Sequence, residues 1–305
     1  SVGTPRVQGT FALEKLDLSA YLESLRAATN LNVDWRTVPI DIPLELANLD
    51  VRLSADQILA GSLRIGTTAA AVTVNDGRFN LNIGEAQFYG GRLKAEVWAD
   101  TNEDRTSAGA RIAIADTPAA VTLDDIAQIS FIDGLASVEM GLNAEGATWG
   151  DLIASLNGTG NTAISEGELI GFELGQLARL SGGYGVADPA PGSGTVPFNS
   201  FTATLELDDG AIFSDDVVAE GESFALNFSG EVSLVDLDIR GRGVLKAERA
   251  TAADGERRDI PFVVSGSWWA PFLLPDYERL IRRGANRNDD NPPVGATTQS
   301  TDPNG

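Results

Sequence analysis

The chain has 305 residues, 43% hydrophobic and 7% aromatic, and carries a net charge of −22 with no His and no Cys. Such acidity argues against nucleic acid and against electrostatic docking on anionic lipid, and its ordinary meaning is solubility. Without Cys there is no disulfide or thiolate metal site, and without His the commonest general base and metal ligand are gone.

Alternation over 7–14 predicts a first strand. Residues 19–29 read as a helix, with Ser19 as cap and Tyr21, Leu22, Leu25 and Ala28 on one face. Pro39 and Pro43 keep 33–41 extended. From 44 to 115 the patterns are β. Leu49, Val51 and Leu53 alternate, as do Leu63 and Ile65, Val72 and Val74, and Phe79, Leu81 and Ile83. Paired glycines at Gly90-Gly91 mark a bend or bulge, and Leu93–Ala99 and Ala110–Ile114 follow as strands.

Three short helices are expected to interrupt the β pattern: 123–130 capped by Thr122, 149–156, and 172–181 stopped by Gly182-Gly183. Residues 185–197 read as a mobile loop. Strands return between 198 and 267, through Phe201–Leu207, Phe224–Phe228, Val232 with Leu234, Leu237 with Ile239, Val244–Ala247 and Phe262–Val264. Asp254-Gly255 reads as an exposed turn, 276–283 as a terminal helix, and 285–305 as disordered. A phrase of acidic residue plus glycine recurs at Asp76-Gly77, Glu166-Gly167 and Asp209-Gly210, and each copy predicts a hairpin turn feeding a strand. The helical stretch near 149–184 is the expected division between an N-terminal β portion (1–148) and a C-terminal one (149–284), before the tail 285–305.

No apolar run reaches the roughly 18 residues of a membrane span. Ser1 to Pro5 read as a cut edge, so that any anchor lies upstream. Conventional chemistry is sparse. Asp100, Asn102 and Asp104 match the start of a calcium loop, but Arg105 replaces its glycine and Arg111 its glutamate, which favours a polar hairpin. Asp208-Asp209 and Asp215-Asp216 are paired carboxylates of the kind hydrolases use, although an acidic chain produces such pairs by chance. Gly182-Gly183-Tyr184-Gly185 lacks the Lys-Ser/Thr of a phosphate loop and reads as a helix stop. Lys15, Lys94 and Lys246 sit in no Ser-Lys dyad context. Trp268-Trp269-Ala270-Pro271-Phe272 reads as a cap over the core end or, alternatively, as a partner patch. The alternating strands make either a closed sandwich or barrel core or an open curved sheet with a greasy inner face.

Several stretches carry a family resemblance in order and spacing: Trp35–Asp41, Leu49–Ile58, Asp76-Gly77 through Leu93, Leu142–Gly146, Leu152–Gly158, Glu166–Leu174, Pro197–Gly210 and Ile260–Asp276. Over most of 30–280 the chain resembles the C-terminal periplasmic region of the AsmA family, related to TamB-type repeating β-groove proteins. The resemblance implies a mainly β fold: a long curved antiparallel sheet, groove-like, with a few short helices. It implies a periplasmic body tethered to the inner membrane by a helix outside this sequence, a role in outer-membrane biogenesis, and no catalytic residues, metal or cofactor.

The expected function is non-enzymatic: binding or conducting phospholipid acyl chains in an apolar groove. The expected lining is Val72, Val74, Leu81, Ile83, Leu205, Leu207, Leu226 and Phe228, though pairing register leaves open whether each lies in a groove or a closed core. The alternative is a scaffold that binds outer-membrane assembly proteins by edge-strand addition. A third reading, a glycan-acting enzyme, needs two acids converging in a cleft.

Overall fold

Branched apolar residues alternating with polar ones favour extended backbone, because one face of each strand is then uniformly apolar. The computed structural model describes residues 4–19, 35–41, 44–102, 105–171, 194–222, 224–248 and 257–279. Its strands are β1 (Arg6–Asp17), β2 (Asn48–Ala60), β3 (Leu63–Asn75), β4 (Arg78–Phe88), β5 (Gly91–Asn102), β6 (Arg105–Pro118) and β7 (Ile132–Gly146). They continue with β8 (Asn157–Ile170), β9 (Thr195–Asp208), β10 (Ala211–Glu220), β11 (Phe224–Ser233), β12 (Asp238–Glu248), β13 (Arg257–Ser267) and β14 (Phe272–Pro275). All fourteen hydrogen-bond in chain order into one sheet, curved and unclosed. At ~4.8 Å per strand the sheet extends roughly 60 Å across its strands. β1 lies parallel to β2, and every later neighbouring pair is antiparallel.

Two-residue turns join several hairpins. Asp76-Gly77 (φ 48° and 80°) links β3 to β4, and Asp209-Gly210 (φ 45° and 74°) links β9 to β10, with both central residues left-handed as the twist of a tight hairpin demands. Gly90-Gly91 makes no bulge: Tyr89 and Gly90 (φ 48° and 89°) form the β4–β5 turn, and Gly91 opens β5. Glu166-Gly167, expected as a third turn, lies inside β8. Ile164 pairs with Ala136 and Leu169 with Ile132 on either side of it, so the positive φ of Glu166 (51°) serves a bulge. A Cβ on Gly167 would run into the Asp133 carbonyl and the Phe198 ring, so the bare glycine admits that close packing.

Register shifts occur between Ile83 and Ala86 in β4, Ile114 and Thr117 in β6, and Ser214 and Val217 in β10. Each skipped stretch carries a carboxylate: Glu85, Asp116 and Asp216. Bulges bend strands and increase twist, so this series helps the sheet curl. Asp216 is stapled in place. It accepts the Thr204 N–H (2.8 Å) and the hydroxyls of Thr204 (2.7 Å) and Ser214 (3.2 Å). The Thr204 side-chain bond, then its backbone bond, hold the carboxyl below its ordinary value.

Two helices sit in strand connections. α1 (Ala119–Ala127) joins β6 to β7, and α2 (Trp149–Ala154) joins β7 to β8. Thr122 does not cap the first. The helix starts three residues earlier, directly after Pro118, and the buried Thr122 hydroxyl has no hydrogen-bond partner. Asp133 accepts the Ala120 N–H instead (3.3 Å). α2 has a full capping box: Thr148 Oγ1 accepts the Asp151 N–H (3.1 Å), and Asp151 accepts the Thr148 N–H (3.0 Å). β7 and β8 pair along their length across this connection.

Residues 33–41 are not wholly extended among those described: Trp35–Thr37 form one 3-10 turn. It is held against the sheet end by Arg36 Nη2 donating to Val235 O (2.9 Å), Trp149 N–H to Val38 O (3.2 Å) and Ile40 N–H to Ala147 O (3.0 Å). Leu234 and Leu237 fall in the β11–β12 turn, and Thr195–Pro197 open β9 where a loop was expected. The expected helix at 172–181 with its glycine stop, the Asp254-Gly255 turn and the tail 285–305 lie outside the described residues. Apart from Ser19 and Asp276–Arg279, so do the helices at 19–29 and 276–283.

Two apolar clusters form. The larger joins Phe198, Ala219, Phe224, Leu245, Ile260 and Phe262 of the later strands to Ala119 of α1. The smaller gathers Ile65, Ile83, Ile112 and Ile114 around Ala86, Phe88 and Leu93.

Candidate functional site

Residues directly opposite in neighbouring strands share a face, so the registers trace side-chain rows across the sheet. One row runs Gly9, Val51, Val72, Leu81, Val97 and Ala110 through β1 to β6. It continues through Leu142, Gly158, Leu207, Ile212, Val232, Ile239 and Gly266, ending in β13. No polar side chain interrupts it. A second row sits beside it: Leu53, Ala70, Ile83, Ala95, Ile112, Met140, Gly160 and Leu205.

All eight candidates lie on this apolar face, in different surroundings. Val72, Leu81 and Leu207 occupy the first row, and Ile83 and Leu205 the second. Val74 is opposite Leu49 and Phe79 in the row beyond. Val72, Leu81, Ile83 and Leu205 are half-buried, whereas Val74 and Leu207 are each only 5% exposed. Leu226 and Phe228 pack on the larger cluster. The Phe228 ring stacks on Phe262 with centroids 6.3 Å apart and planes 6° apart, over Gly230 and Gly241, where any Cβ would collide with it. The structure thus leaves Val72, Leu81, Ile83 and Leu205 partly open along the face, buries Val74 and Leu207, and packs Leu226 and Phe228 into the larger cluster. Sequence reasoning passed over Met140, Leu142 and Ile212, which belong to the same rows. The alternation of Val138, Met140, Leu142 and Ala144 was present in the sequence but lay between two expected helices, and Ile212 follows directly on a turn.

The opposite face is polar. Cross-strand ion pairs lie along it: Arg78–Asp100 (3.1 Å), Arg111–Glu96 (3.0 Å) and Arg92–Asp116 (2.9 Å). Such exposed pairs contribute about 0–1 kcal/mol each and act mainly as register marks. A trough of about 900 Å³ opens on this face at the bulges, lined by Glu85, Arg92, Lys94, Glu139, Asn161 and Asp216. Asp216, with its lowered pKa and its hydroxyl and amide partners, serves the strand pairing there. Asp100 is tied to Arg78, and Asp209 forms a turn. Among the described residues, no three acidic side chains gather to hold a metal ion. The tryptophan stretch forms the β13–β14 turn with Trp269 and Phe272 exposed, while Leu273 packs on the core.

Among the described residues no helix is long and apolar enough to cross a membrane. The family model for the AsmA family matches residues 13–217, well over half of the chain. Searches of curated proteins and of solved structures return no match.

Proposed function

The chain belongs to the AsmA family, and on that premise we propose that its apolar face shelters the acyl chains of phospholipids. The family is associated with outer-membrane biogenesis and lipid transport in general terms. The observation that carries the narrower reading is the uninterrupted apolar row from β1 to β13 on an unclosed sheet. An acyl chain laid across the strands meets Val, Leu, Ile, Ala or Gly at every step. Each CH₂ it removes from water is worth about 0.8 kcal/mol, so a handful of sheltered methylenes suffices for binding without any headgroup reader. Half-burial at Val72, Leu81, Ile83 and Leu205 leaves apolar surface for such a chain to cover. The reading places the protein in the periplasm, held at the inner membrane by a segment outside this sequence, and acting without catalysis.

Site-specific photocrosslinking tests it. A benzophenone side chain is placed singly at Leu81, Val97, Leu142 and Leu205, and at Arg52 and Asn143 on the polar face, in protein expressed in the periplasm of a Gram-negative host. Phospholipid adducts are expected at the first four positions and not at the last two. Absence of adducts along the apolar row overturns the reading.

A further inference from the structure

The polar face is hollowed in the middle of the sheet. The trough of about 900 Å³ continues into a second hollow of about 550 Å³, and the two share Lys94, Glu139 and Asn161. Hollows of that size accommodate a small ligand. Register explains the shape. Lys94, Ala113, Glu139 and Asn161 stand in one row from β5 to β8, and Glu96, Arg111, Gly141 and Thr159 in the next. Ala113 and Gly141 raise little above the backbone, so longer side chains stand around a low floor.

One row further along β5 is Trp98, opposite Gly109 of β6. The indole atoms Nε1, Cε2 and Cζ2 are each 2.6 Å from where a Cβ on Gly109 would stand. The ring therefore lies over the glycine with one face toward the strand. Trp98 is only half-buried, so its other face is turned outward. Phe228 over Gly241 and Phe262 over Gly243 are similar in geometry but belong to the larger apolar cluster. Trp98 stands on the opposite face among polar side chains, with the exposed Asn143 beside Gly109 in its row. From Trp98 to Lys94 is four residues of strand, roughly 14 Å.

We propose that this face binds an uncharged oligosaccharide, with one sugar ring stacked on Trp98 and the following ones reaching along the trough to Lys94. A flat, outward indole fits the C–H-rich face of a sugar ring. Amide and hydroxyl side chains donate and accept at once, as sugar hydroxyls do, and the exposed Asn143, Thr159 and Asn161 supply them. Charge decides against an anionic ligand. Arg92 is paired with Asp116 and Arg111 with Glu96. Lys94 then stands in the trough with Glu85 and Glu139, which leaves no positive surplus on a chain of net charge −22. Such a surface repels anions, whereas a neutral polyol finds a donor in Lys94 and an acceptor in Glu139. The site is independent of acyl chains, which the opposite face would hold.

Binding of the purified chain to an array of short neutral and acidic oligosaccharides, followed by calorimetry with the tightest neutral member, tests the proposal. Neutral members are expected to bind, with a dissociation constant that changes little between low and high salt, since the ligand makes no ion pair. Trp98→Ala should raise that constant about tenfold, and Trp98→Phe, which keeps a flat ring over Gly109, much less. Lys94→Ala should raise it several-fold with unchanged circular dichroism, because Lys94 is exposed and forms no ion pair among the described residues. An array with no neutral binder overturns the proposal. So does binding confined to acidic members, which would mark Lys94 as an anion site, and so does a neutral ligand indifferent to both Trp98→Ala and Lys94→Ala.

Discussion

Tyr89 occupies a left-handed backbone position (φ 48°) that costs a bulky side chain energy and is compensated by its surroundings. Its ring packs edge-on to Phe88 with centroids 4.7 Å apart, and its hydroxyl donates to Asp125 Oδ2 of α1 at 2.5 Å. Ser62, in the β2–β3 turn, donates to the backbone carbonyl of the same Asp125 (3.1 Å), so two hairpin turns grip one helix. Burial first, and then the bond to Asp125, push the Tyr89 phenol from 10.0 up to about 12. A phenol whose pKa is raised on folding stabilises the folded state fully below its unfolded pKa. That contribution is lost as pH climbs from about 10 through about 12. Tyr89→Phe is expected to cost about 1 kcal/mol in urea unfolding at neutral pH and to flatten the loss of stability over that alkaline window. Nothing local in Phe88-Tyr89-Gly90-Gly91 announces the Asp125 contact, which spans 36 residues. The glycines were legible as a bend, whereas the choice of a tyrosine turn depends on α1 being there to receive it.

At the scale of elements, local chemistry and long-range pairing compete. α2 follows local chemistry: Thr148 and Asp151 stand at capping-box spacing before an apolar pair, and the helix forms where that pattern places it. Thr148→Ala is expected to lower stability by about 1 kcal/mol, read from urea midpoints with an unchanged slope. Glu166-Gly167 shows pairing winning. Its dipeptide is a turn signal like Asp76-Gly77 and Asp209-Gly210, yet β8 has partners on both sides through that point, and the positive φ is absorbed in a bulge. α1 is the same lesson in reverse. Its start is set by the end of β6 and by Asp133 reaching from β7, not by the nearest hydroxyl in sequence. Strand existence was therefore readable from alternation over 44–115 and 198–267, whereas β7 and most of β8, lying among the expected helices, were not expected, nor were strand ends and bulges, because those depend on which backbone groups the neighbouring strands leave to be satisfied.

For the whole molecule, the consequential property is a sheet with two chemically distinct faces and no closure. If acyl chains lie along the apolar row, one polar group in mid-row should weaken binding far more than any change on the other side. Leu142→Asn is expected to reduce retention of a fluorescent-acyl phospholipid several-fold, since it removes apolar contact and adds an amide with no partner. Asn143→Ala, one residue along on the opposite face, is expected to leave retention unchanged while matching the first variant in expression and circular dichroism. The eight lining candidates could be chosen from alternation because side-chain direction repeats every two residues along any strand, a property each short segment carries alone. Their different fates, with Val72 and Leu81 half-buried, Val74 and Leu207 buried, and Leu226 and Phe228 packed into a cluster with Phe262, were decided by cross-strand register, by the bulges at Glu85, Asp116 and Asp216, and by α1 reaching the later strands. Those are contacts between residues far apart in the chain, and no short stretch of sequence specifies its own partner. The β character and the polarity of each face were thus local matters, while the choice between an open row and a packed core was settled only when the strands found their neighbours.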